Sequence, residues 1–203
     1  MTADTPEATG STGKEEIMEA TYRALLEHGY ADLSLSQIAG ELDKSKASIY
    51  YYYDTKDDLL AAFLEFAVGK FEVMIDTETG NEPSKDLEHV IEKLLPLQPD
   101  ADQRQLQAVL VSLRSQSVTR EVFREQFTQI DDRLAATIRS IVERGIDEGT
   151  FRDVDASRIA EHILATVNGA VYSRATTDRK SAAAAARVSL ASYIDSELRR
   201  RLN

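Results

Sequence analysis

From residue 121 to 148 the chain carries an apolar residue at every third or fourth position. Val122, Phe123, Phe127, Ile130, Leu134, Ile138, Ile141, Val142 and Ile146 form one stripe on a helical repeat. A half-buried strand needs alternation at every second residue, and that pattern is absent from the sequence. The spacing predicts a long helix, opened by a Thr119 cap and closed by Gly149 in a left-handed turn. The same rhythm returns over 156–175 through Ile159, Ile163, Leu164, Val167 and Val171. It continues over 181–201 through Ala186, Leu190, Tyr193, Ile194 and Leu198, where "SAAAAAR" is helix-forming by propensity. Shorter stripes mark helices over 14–28 and 56–78. "TGNEPSK" and "PLQPDAD" interrupt the chain, and Pro83 suits the first turn of the helix that follows. The expectation is an all-α protein of about nine helices.

Several chemistries are excluded by what is missing. The chain has no cysteine, so disulfides, thiolate metal sites and cysteine nucleophiles drop out. His28, His89 and His162 lie far apart, and none has a partner at metal-ligand spacing. No nucleophile–base pair or glycine-rich phosphate loop is present. The expectation is therefore no catalytic residue, no metal, no cofactor and no enzymatic activity. No apolar run approaches the roughly 18 residues of a membrane span, and the polar, acidic N-terminus lacks the features of a secretion signal. Residues 1–12 read as a disordered acidic tail on a protein expected in the cytoplasm.

The segment "SKASIYYYYDTKDDLL", residues 45–60, places four tyrosines in a row. A core uses one face of a helix, so some of these rings must meet water or a partner. Ser34 with Gln37 forms a capping-box pattern that opens a short helix through Ile38, Ala39 and Leu42. Ser45 can cap a second short helix running to about Tyr53, and Asp54-Thr55 ends it and caps the next. Two short helices joined by a tight turn, with a helix before them, make a helix-turn-helix arrangement. By helical spacing Ile49 and Tyr53 point into a small core, and Tyr50 and Tyr51 lie on the opposite side.

"SLSQIAGELDKSKASIYYYYDTKDDLL" resembles the DNA-binding motif of the TetR family of transcriptional repressors. The likeness runs from the first helix into the start of the fourth, carried by Ser45-Lys46-Ala47-Ser48-Ile49-Tyr50 and Lys56-Asp57-Asp58-Leu59-Leu60. Two positions depart from the family pattern: Asp43 stands where glycine is usual, and Lys44 where a small apolar residue is usual. Weaker likeness covers "EGTFRDVDASRIA" and "VNGAVYSR". The resemblance implies a helix-turn-helix domain over 13–58 and an effector-binding and dimerisation domain over 59–203. It implies a ligand-responsive repressor acting as a homodimer on palindromic double-stranded operator DNA. Lys46, Tyr50 and Tyr51 would read the DNA, with Ser45, Ala47, Ser48 and Tyr52 beside them. Ser36, Lys44 and Lys56 would support them through phosphate contacts. Phe63, Phe71, Met74, Leu94, Leu113, Phe123, Phe127, His162 and Tyr172 are the candidates to line a pocket for a largely apolar effector. Ile163, Val167, Val171, Leu190 and Ile194 are the candidates for the dimer contact.

Charge opposes the DNA reading. The chain carries a net −11, and residues 1–62 hold five basic against twelve acidic residues, a net −7. A basic footprint is expected of a DNA-binder. A different class of function is therefore also consistent with the sequence: a helical ligand-binding or protein-interaction module whose degenerate helix-turn-helix does not bind DNA. The acidic, lysine-poor composition also suits a salt-rich cytoplasm, where salt screens such charges.

Overall fold

The structure, a computed structural model, describes residues 8–42, 44–78, 82–179 and 181–199, with the side chains of 8–12 and 74–78 outside that description. Residues 1–7 of the expected tail therefore lie outside it, as does Asp43 in the expected turn. Among the described residues nine α-helices follow one another: α1 (Ala8–Asp32), α2 (Leu35–Glu41), α3 (Lys46–Tyr50), α4 (Lys56–Glu78), α5 (Pro83–Leu94), α6 (Ala101–Gln116), α7 (Glu121–Asp147), α8 (Ala156–Thr176) and α9 (Ala182–Tyr193). A π-helical turn, Ile194–Leu198, extends α9. The all-α expectation holds.

The boundaries differ from the sequence reading where local chemistry differs from the pattern. α1 starts at Ala8, ahead of residue 14, and its backbone breaks at Gly29 with φ 70°. α3 stops at Tyr50, short of the expected Tyr53. Thr119 does not cap α7. Arg120 holds that position without a side-chain cap, and its guanidinium instead reaches Asp57 at the start of α4. Gly149 does take the left-handed turn, with φ 74°.

Two buried clusters form the interior. The first joins Ile17, Ala24 and Leu25 of α1 to Ile38, Ile49, Leu60, Phe63 and Leu64, and continues into Val109 and Leu113 of α6 and Phe123 and Phe127 of α7. The core of the helix-turn-helix therefore does not end at residue 58. It is continuous with the lower half of the bundle. The second cluster joins Leu87, Val90 and Ile91 of α5 to Ile138 and Val142 of α7, Ile159, Ile163 and Val167 of α8, and Leu190 and Ile194. The long apolar stripe of α7 supplies both clusters, so one helix ties the two ends together.

The chain turns sharply between α7 and α8. Phe151 is fully buried against Gly145, where a Cβ would stand 2.1 Å from the phenyl ring. The C-terminus closes over this turn: the Arg152 amide donates to the Leu198 carbonyl at 2.8 Å, and Leu198 is buried.

Candidate nucleic-acid interface

The helix-turn-helix is assembled by caps as much as by core. The Ser34 hydroxyl accepts from the Gln37 amide at 3.3 Å, and the Gln37 side chain accepts from the Ser34 amide at 2.6 Å. Thr55 and Asp58 repeat the device at the start of α4. The Thr55 hydroxyl accepts from the Asp58 amide at 3.1 Å, and the Asp58 carboxylate accepts from the Thr55 amide at 3.1 Å. These reciprocal bonds satisfy backbone donors that a helix start leaves open. Ser45 sits at the N-cap of α3 but makes no side-chain cap bond. The turn between α2 and α3 is closed by the Lys44 amide donating to the Ala39 carbonyl at 3.3 Å.

The four tyrosines separate in space. Ile49 is fully buried, and Tyr53 packs half-buried against the first cluster, where burial raises its phenol above the ordinary value. Tyr50 is 54% exposed and Tyr51 81% exposed. Rings this large left in water at the last residue of α3 and its C-cap form an exposed apolar surface. Tyr52 is half-buried. Its ring meets Tyr51 edge-on at 4.9 Å, and its hydroxyl lies against Gly13, where a Cβ would stand 2.7 Å away. Tyr52 therefore packs α3 onto α1.

Beside Tyr50 and Tyr51, Lys46 and Ala47 are exposed and Ser48 is half-exposed. Ser36, Ala39, Gly40, Lys44, Ser45 and Lys46 line an open concavity of about 390 Å³ between α2 and α3. Lys44 and Lys56 do not stand as the sequence suggested. Lys44 pairs with Glu16 of α1. Lys56 turns inward, donating to the Leu33 carbonyl and lying 5.2 Å from the centre of the Tyr30 ring. Burial pushes its ammonium below the ordinary value; Asp57 opposes that shift and Arg120 adds to it. Its stem fills the seam between α1 and α4 because an apolar stem beside a ring and a carbonyl is better satisfied there than in water. The acids are also occupied: Glu16 by Lys44, Glu41 by Arg23, Asp57 by Arg120, and Asp58 in its cap. Lys46 makes no ion pair among the described residues.

The expected dimer residues belong to the interior. Ile163, Val167, Leu190 and Ile194 are buried in the second cluster, and Val171 packs half-buried against it. α8 packs on α7 and α9 on α8, and their apolar stripes are spent on those contacts within the chain. The exposed faces of α8 and α9 carry small residues instead. Ala165, Gly169 and Tyr172 follow one another on α8, and Ala184, Val188 and Ala191 on α9. Tyr172 is 57% exposed and Val188 68% exposed. A Cβ at Gly169 would meet nothing in its own chain. Sequence reading missed this face because the stronger apolar stripe on the same helices drew the assignment. Its available signal was the Ala-Gly-Tyr series at steps of four and three.

The pocket candidates scatter. Phe63, Leu113, Phe123 and Phe127 are packed side by side in the first cluster. Phe71 and Leu94 are half-buried and touch both clusters. His162 and Tyr172 lie on the exposed face of α8, His162 with its ring 4.3 Å from that of Tyr193, so neither faces the interior. The Met74 side chain lies outside the described residues.

Comparison with known proteins agrees with this geometry. A profile for "Bacterial regulatory proteins, tetR family" matches residues 17–63, and one for "BetI-type transcriptional repressor, C-terminal" matches 83–199. A helix-turn-helix-type transcriptional regulator of Mycobacterium tuberculosis is 28% identical over 154 residues, covering 75% of this chain and 71% of its own. A TetR transcription regulator from Haloarcula marismortui superposes with a TM-score of 0.84 at 39% identity, over 93% of this chain and 100% of its own. A regulator from Saccharomonospora viridis, solved in complex with choline, gives 0.79 at 25% identity over 94% and 100%.

Proposed function

Because this chain belongs to the tetR family of bacterial regulatory proteins and is a DNA-binding transcriptional regulator, we propose that it is an effector-responsive repressor working in the cytoplasm. It acts as a homodimer that sets two α3 helices into the major groove of a palindromic operator. Lys46 holds a phosphate, and Tyr50 and Tyr51 meet base edges and backbone. The observation that carries this reading is the exposure of Tyr50 and Tyr51 beside an unpaired Lys46, while the other large apolar side chains described in the same small domain are buried or half-buried. A tyrosine there can donate to a phosphate or lay its ring on a thymine methyl.

The dimer forms through the exposed faces of α8 and α9. A glycine in mid-helix with no neighbour in its own chain costs helix stability without internal return. Close approach of a second backbone supplies the return, as small residues allow. Two-fold protein symmetry is then mirrored in the operator. An effector enters at the seam between the two clusters, where Phe71 and Leu94 belong to neither alone. It releases DNA only by binding the DNA-free arrangement more tightly.

The test is fluorescence anisotropy on a fragment from upstream of the chain's own gene. Saturable binding that survives excess unrelated DNA is expected. Equal affinity for the fragment and for unrelated DNA would remove the reading.

A further inference from the structure

Three arginines converge on the short connection between α5 and α6. Arg187 of α9 donates through Nη1 to the Leu95 carbonyl at 3.2 Å. Arg174 of α8 donates through Nη1 to the Pro96 carbonyl at 2.6 Å, and through Nη2 to Oε1 of Gln107 on α6 at 2.7 Å. Arg104 of α6 donates to the Pro99 carbonyl. Elsewhere in the bundle several arginines meet acids, Arg114 with Asp131, Arg133 with Glu72, Arg144 with Asp86 and Arg199 with Glu88, while Arg124 donates to the Ser117 and Val118 carbonyls. Among the described residues none of these three has a carboxylate at ion-pairing distance. In a chain of net −11 this is a local excess of positive charge.

Arg174 alone of the three has a buried nitrogen without a hydrogen-bond partner among the described residues. Burial pushes its guanidinium below the ordinary value, with no acid opposing the shift, and its Nε is buried without a partner. Neutral carbonyl and amide oxygens are weaker acceptors for a guanidinium than a carboxylate or phosphate, which can also take two parallel N–H bonds. Leu95 and Pro96 are consecutive, so the two guanidiniums hold the carbonyls of adjacent residues in one short loop.

We propose that Arg174 and Arg187 form an anion-binding subsite of the effector site, with Arg104 at its rim, taking a carboxylate or phosphate group of a small molecule. This rests on the effector-responsive reading above and adds the chemistry of the effector. A choline-like cation would meet two guanidiniums here. The site is also connected to the DNA-binding end. Gln107 shares α6 with Gln105, whose Nε2 lies beside Gly29 of α1, 3.4 Å from where a Cβ would be. An anion that draws Arg174 from Gln107 loosens α6 from α8, and α6 supports α1.

Titration calorimetry on the full-length protein without DNA tests this. Sodium phosphate, sodium octanoate and choline chloride are the probes, with potassium chloride holding ionic strength constant. Saturable heat is expected from at least one anion: phosphate alone identifies a phosphate group as the handle, octanoate alone a carboxylate. Choline should give none. Arg187→Ala should weaken the anion about tenfold or more. If that variant does not fold, Arg187→Lys decides: a loss of about threefold or more supports bidentate recognition, and wild-type affinity overturns it. No saturable heat from either anion, or heat from choline alone, also overturns it. Operator binding by the anion-free protein is measured separately. A protein that binds operator and takes no anion defeats this inference and leaves the regulator reading standing.

Discussion

The α3 surface and the outer face of α8 and α9 both leave apolar groups in water, and they do so in opposite ways. α3 offers two large rings, Tyr50 at its last residue and Tyr51 at its C-cap. α8 and α9 offer Ala165, Gly169, Ala184 and Ala191, with Tyr172 and Val188 among them. Long side chains suit a partner whose information lies at the bottom of a groove. Small ones suit a second copy, whose helix backbone must come close over a wide contact. Exposure alone does not distinguish a DNA surface from a protein surface; the function proposed above assigns the two by side-chain size.

Gly169→Arg breaks the comparison most severely. It should leave a folded monomer by light scattering. Operator affinity should fall about a hundredfold or more, since each half-site then binds without the help of the other. If the variant stays dimeric, the small-residue face is not the interface. The contrasting change on the same helix is Ile163→Ala. Ile163 is buried in the second cluster, so this should cost about 2–5 kcal/mol of unfolding free energy in urea. At concentrations where the protein remains folded, dimer mass should be unchanged.

Tyr51→Ala tests the other surface. It should weaken operator binding by about 1–3 kcal/mol and flatten the preference among operator variants, with the urea midpoint unmoved because the ring packs on little. Tyr52→Ala sharpens the contrast, since it should lower thermal stability through loss of packing on α1. A larger effect of Tyr52→Ala than of Tyr51→Ala on base preference would reverse the two assignments. Lys46→Ala and Lys44→Ala form the next pair. The first should reduce the slope of log affinity against log salt by about one. The second should change it less, because Lys44 already has Glu16 as a partner.

The smallest effect concerns salt itself. Ordinary basic DNA-binders lose affinity steeply as potassium chloride rises, through counterion release. With −7 on residues 1–62 and several lysines already engaged, the slope here should be shallow. Affinity measured from about 0.1 to 2 M potassium chloride decides, and a conventional steep loss would mean that the acidic surface plays no part in recognition.

Spacing along the chain determined the helices, because an apolar stripe on a 3.6-residue repeat can be buried only as a helix face. It determined the Ser34–Gln37 capping box, because those bonds join residues three apart. It also placed Tyr50 and Tyr51 opposite Ile49, since one helix fixes the angles between its own residues. Tertiary structure decided whatever depends on a residue distant in sequence. Ile163 and Leu190 read as dimer contacts until the second cluster closes over them. Lys56 reads as a phosphate contact until Tyr30 and Leu33 fold beneath it. Arg104, Arg174 and Arg187 carry no local pattern at all, and only packing brings three helices to one loop. A period records which residues share a face, but the partner of that face is chosen by the rest of the chain.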